Sequence, residues 1–79
     1  MSPTVLRYKN YRLFFFSREE TRMHVHVSCP DGEAKFWLEP VVALADYAGM
    51  DARQLRELQR VIERKRDEII RRWHRHFSG

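Results

Sequence analysis

The chain has a single cysteine, Cys29, so an internal disulfide is excluded and a reducing compartment is expected. Glycine and proline are scarce, three of each in 79 residues, which excludes linker-like or collagen-like architectures. No apolar run is long enough to span a bilayer. The N-terminus lacks the basic, apolar and cleavage regions of a signal peptide, so no membrane partner and a cytoplasmic location are expected. Repeats and low-complexity segments are absent as well. What is present is a globular composition, 43% hydrophobic and 33% charged, which argues against disorder. A single domain over residues 1–79 is expected. A chain of this size buries only about 60% of its unfolded surface, so the core must be thin.

Charge is unevenly placed. From Ala52 onward nine basic residues face four acidic ones, net +5, whereas residues 1–51 carry a net −1. A basic half is compatible with polyanions, although +5 alone is weak support.

The first half of the chain reads as strands and the second as helices. Thr4–Tyr8, Tyr11–Ser17, Met23–Cys29 and Glu33–Leu38 are rich in strand formers. Lys9-Asn10 and Pro30-Asp31-Gly32 separate them as turns, and Ser17–Arg22 reads as a loop. Pro40 ends the ladder because it has no N–H to donate. Val41–Ala48 then reads as a short helix capped by Gly49. Asp51 with Gln54 resembles a capping box that opens a long helix over about 52–77. Leu55, Leu58, Ile62, Ile69, Trp73 and Phe77 form its apolar stripe. The expected fold is α+β, a four-stranded antiparallel sheet in β-β-β-β-α-α order with both helices on one face.

Within this frame residues 22–40, RMHVHVSCPDGEAKFWLEP, mark a candidate site. Side chains alternate across a strand, so Val25, Val27, Ala34, Phe36 and Leu38 are expected to meet the helices. His24, His26, Lys35, Trp37 and Glu39 are then expected to look away from them. Three chemistries fit that second face. An interaction surface would use Trp37 as its anchor, since Trp is enriched at binding hot spots. A metal-independent ribonuclease would use His24 and His26 as acid and base, with Lys35 and Glu39 assisting and Trp37 stacking a base. A zinc site needs three or four protein ligands, and with only Glu33 or Glu39 to add, no metal or other cofactor is expected. The interaction reading ranks first.

The long helix offers a second candidate. At about 100° per residue, Arg53, Arg60, Arg64, Arg71 and Arg75 fall on one line opposite the apolar stripe, and arginine forks suit phosphates. The competing reading is a solvated helix whose charges are spent on Glu57–Arg60, Glu63–Arg66, Asp67–Arg71 and Glu68–Arg72 pairs, each worth about 0.2–0.5 kcal/mol. It is favoured, and nucleic acid remains an alternative partner. Trp73 reads as a core plug. His74 and His76 suit the helix C-terminus through its dipole.

The runs SPTVLRYKNYRLFFFS, HVHV, EAKFWLEPV and WHRHF, together spanning Ser2 to Phe77, resemble a family of small bacterial proteins catalogued as domain of unknown function 4160. His24, His26, Lys35, Trp37, Glu39 and Trp73 fall on its characteristic motifs. The resemblance implies a small interaction or regulatory protein, one component of a toxin–antitoxin-like pair. Its expected partner is a small protein encoded nearby, and a second copy of the chain is a further candidate.

Overall fold

A computed structural model describes residues 4–16 and 22–77. Five strands form one antiparallel meander in chain order: β1 (Thr4–Tyr8), β2 (Tyr11–Phe14), β3 (His24–Cys29), β4 (Gly32–Trp37) and β5 (Ala43–Ala48). Two helices follow, α1 (Ala52–Arg64) and α2 (Arg66–Phe77). Among the described residues, no helix is long and apolar enough to cross a membrane.

The α+β class and the antiparallel sheet agree with the sequence, but the sheet has five strands where four are expected, and both helices come from the single long helix expected over about 52–77. Residues 43–48 are a strand, not part of a short helix. They pair with β4 through Glu33↔Ala48, Ala34↔Tyr47, Lys35↔Asp46, Phe36↔Leu44 and Trp37↔Ala43. Ala43, Leu44, Ala45 and Ala48 are good helix formers in isolation. The open edge of β4 offers them a row of backbone partners, and tertiary pairing overrides a weak local preference. Ala45 is the extra residue of a bulge opposite Lys35 and Phe36. β2 is shorter than expected and ends at Phe14. The Ser17–Arg22 loop lies largely outside the described residues.

Two glycines hold the β4–β5 corner. Gly32 is the first residue of β4, and a Cβ there would lie 2.1 Å from the Ala48 carbonyl oxygen. Its bareness therefore serves a close backbone approach, not the positive φ a turn would suggest. Gly49 adopts φ +75°, not as a helix cap but in the turn between β5 and α1. Lys9 takes a positive φ of 53° in the turn between β1 and β2.

The capping box is present as read. Asp51 Oδ1 accepts the Gln54 amide at 2.8 Å, and the Asp51 amide donates to Gln54 Oε1 at 3.0 Å. The single long helix is interrupted at Lys65, whose backbone sits at φ −102°, ψ 8°. Helical hydrogen bonds continue across the break, from Lys65 N–H to Val61 O and from Ile69 N–H to Lys65 O. The Arg66 guanidinium then reaches back from the start of α2 to donate from Nε to the Leu38 carbonyl at 2.7 Å. A guanidinium held by a carbonyl at the end of β4 fixes where the second helix begins.

The core lies between one sheet face and the helices. Leu13, Val25, Val27, Phe36 and Leu38 are wholly buried with Leu58, Ile62 and Ile69 in one cluster. This is the packing that the period-two and helical stripes predict. Trp73 joins the same cluster, edge-on to Phe15 with ring centroids 5.2 Å apart.

Candidate functional site

The register sets the face turned away from that core. Directly opposite residues share a face, so Thr4, Phe14, His26, Lys35 and Asp46 form one row across all five strands. Arg7, Arg12, Ser28, Glu33 and Ala48 form the next. His24, Trp37 and Ala43 form a third.

Aromatic rings join the rows. His26 lies 5.5 Å from Phe14 and 4.4 Å from Phe16, centroid to centroid. His24 is 5.0 Å from His26 and 5.8 Å from Trp37. Cations lie over the rings: Arg12 is 4.6 Å from Phe14, Arg22 is 4.1 Å from Trp37, and Lys35 is 4.6 Å from Trp37. Arg12 also donates from Nε to Thr4 Oγ1 at 2.7 Å, which orients the guanidinium across β1 and β2. Beside this array lies a hollow of about 250 Å³, bordered by Phe14, Phe16, His26, Lys35, Asp46 and Tyr47.

The expected site residues are only partly brought together. His26, Lys35 and Trp37 lie half-buried on the open face. His24 does not look outward: it is 0% exposed, and the Trp73 ring reaches it at 5.3 Å. The cause is its position at the start of β3, where α2 covers the sheet end. Its Nδ1 lies 2.7 Å from the Arg22 carbonyl oxygen, which can only accept, so Nδ1–H is the donor in this contact. Glu39 is exposed beyond the end of β4, at a cis peptide bond to Pro40, and its carbonyl accepts from Arg22 at 3.4 Å. Among the described residues no three His, Cys, Asp or Glu side chains come together as a metal cluster.

The arginine line is divided by the Lys65 break. Arg53, Arg60 and Arg64 lie on α1 and Arg71 and Arg75 on α2, all five exposed. Of the expected helix pairs, Glu68–Arg72 forms at 3.6 Å. Arg66 turns to Leu38, and Glu57 turns to β1, where it accepts from Lys9 Nζ at 2.5 Å and from Tyr8 Oη at 2.9 Å.

Sequence reasoning missed Arg12, Phe14 and Phe16 as site residues. The signal was the same two-residue step that marked His24 and His26, but Phe14-Phe15-Phe16 masks it, because only the middle ring enters the core. Phe15 is buried against Trp73, whereas Phe16 is 44% exposed and edge-on to Phe14.

The family model of domain of unknown function DUF4160 matches residues 10–74. The chain belongs to this family. The match takes in β2 through most of α2, and so every DUF4160 residue of the open-face array except those contributed by β1. No curated protein and no solved structure matches the chain.

Proposed function

We propose that this protein is a small interaction module that works by binding through the open sheet face, not by breaking bonds. The observation that supports it is the ring array of Phe14, Phe16, His26 and Trp37 with Arg12, Arg22 and Lys35 laid over or beside it. The apolar core is complete on the other face, so folding does not call for such an array here. An acid–base pair needs two groups that reach a substrate, and the burial of His24 beneath Trp73 withdraws one of them. A regulatory role, and pairing with a small protein encoded nearby in a toxin–antitoxin-like module, rest on the family resemblance.

The test is a binding panel of RNA, DNA and the protein encoded beside this one, run with wild type, Phe16→Ala and His26→Gln. Wild type should bind at least one ligand, Phe16→Ala should weaken that binding, and RNA should be recovered at full length. RNA shortened by wild type but left intact by His26→Gln would make the face catalytic and overturn the reading. Binding unchanged by Phe16→Ala would remove the face from the function.

A further inference from the structure

The open face has two properties whose combination narrows the ligand. It presents aromatic rings packed edge-on to one another, with Phe16 exposed and His26 and Trp37 half-buried, and the charges around them are mainly positive. Phe16, His26, His24 and Trp37 follow one another at centroid separations of 4.4, 5.0 and 5.8 Å, with the buried His24 as the link that holds the outer rings in place. Arg7, Arg12, Arg22 and Lys35 lie along these rows, against Glu33 and Asp46. The carboxylates are placed toward the β5 side and the arginines toward β1, β2 and the start of β3, so positive charge continues along one side of the rings. A hollow of about 250 Å³ opens between Phe16, His26 and Lys35.

From this we infer that the open sheet face binds single-stranded nucleic acid, stacking bases on Phe16 and Trp37 and holding their phosphates with Arg12, Arg22 and Lys35. This rests on the binding reading given above and names its ligand. Every base offers a flat π-face, so stacking on exposed rings tolerates sequence, and a sheet with surface aromatics takes about two or three unstacked bases. A duplex hides those faces. The arginines on α1 and α2 make the contrasting surface: their exposed rings, His74 and Phe77, are confined to the end of α2, and elsewhere along the line they would meet a duplex and a single strand through phosphate alone.

Fluorescence anisotropy with labelled oligomers of one length tests the inference: single-stranded RNA, single-stranded DNA and the matching duplex. Both single strands should bind more tightly than the duplex, and the RNA and DNA arms show which sugar is preferred. With three phosphate contacts, affinity for the single strands should fall about twentyfold between 50 and 200 mM salt. Phe16→Ala, at an exposed position, should weaken binding about tenfold, in line with the loss of one stacked base. Lys35→Gln should lower the salt slope by about 0.7. Trp37→Leu keeps an apolar filler at a half-buried site and should act like Phe16→Ala, with circular dichroism confirming the fold. Equal affinity for duplex and single strand, or loss of binding in Arg60→Glu/Arg64→Glu/Arg71→Glu but not in Phe16→Ala, would place any nucleic-acid site on the helices and overturn the inference. If no oligomer binds while the neighbouring protein is retained through Phe16, the ligand assignment fails and the binding reading stands. If neither ligand depends on Phe16, both fail.

Discussion

The two faces of one sheet obey different rules. The covered face is apolar and closed: Leu13, Val25, Val27, Phe36 and Leu38 are wholly excluded from water by α1 and α2. The open face interleaves with it residue by residue, yet carries rings, guanidiniums, a lysine and carboxylates. Val25 and Phe36 are opposite one another on the first, and His26 and Lys35 on the second, one step along the same two strands. Packing explains the first set, because each side chain removes apolar surface from water. It does not explain the second, and that residue of unexplained chemistry is what makes the open face the candidate site.

Two phenylalanines give the sharpest test of this contrast. Phe36→Ala removes a wholly buried ring and should cost about 3–5 kcal/mol in a denaturant titration. Phe16→Ala removes an exposed ring on the other side and should stay within about 0.5 kcal/mol, as most surface changes do. Similar costs for the two would mean that the open face is part of the core after all. A smaller effect is expected at the α1 start, where Asp51→Ala removes the carboxylate that accepts the Gln54 amide, leaving only the backbone half of the capping box, and should cost about 0.5–2 kcal/mol by thermal unfolding. The binding of single strands should be unchanged in this variant, because Asp51 lies outside the open-face array.

The smallest effect concerns the Lys9–Glu57 pair, which ties the β1–β2 turn to α1. The Lys9 ammonium, and after it the Tyr8 hydroxyl, hydrogen-bonds the Glu57 carboxylate and holds its pKa below the ordinary 4.5. Glu57 in turn holds Lys9 above 10.5, chiefly through the same hydrogen bond. A lowered acid pKa contributes stability above its unfolded value and loses it as pH falls through the folded one; a raised lysine pKa contributes below its unfolded value and loses it as pH rises through the folded one. The pair is therefore fully formed between 4.5 and 10.5. The stability difference between wild type and Glu57→Gln should be small, because both groups are solvated, and should shrink on either side of that window. Titrations at several pH values, with the difference constant throughout, would remove the pair from the fold's support.

Much of the fold was legible because its signals were local. The alternation in β3 and β4, the Asp51–Gln54 box and the stripe through Leu58, Ile62, Ile69 and Trp73 each lie within one segment of chain. The errors arose where distant chain decides. Residues 43–48 carry helix-forming alanines and became a strand because β4 lay beside them with its edge open. His24 obeys the alternation but is buried because Trp73, 49 positions later, covers the start of β3. Nothing in the charge pattern marks Lys65 as a break, since Glu63, Arg64, Lys65 and Arg66 are all compatible with a continuous helix. The candidate site was half legible: His26, Lys35 and Trp37 stand on the face as expected, whereas the rings from β2 and beyond it join them only through cross-strand register.

The bulge at Ala45 has a consequence for the protein's behaviour in concentrated solution. β5 is the last strand in the sheet order, and it carries the exposed Leu44 and Tyr47. A flat apolar edge of this kind invites another molecule to add its own strand and continue the sheet without limit. The extra residue bends the strand midway, and Asp46 next to it accepts the Tyr47 backbone amide on its own Oδ1 at 2.9 Å. One inserted alanine thus makes this edge a poorer template for a further strand.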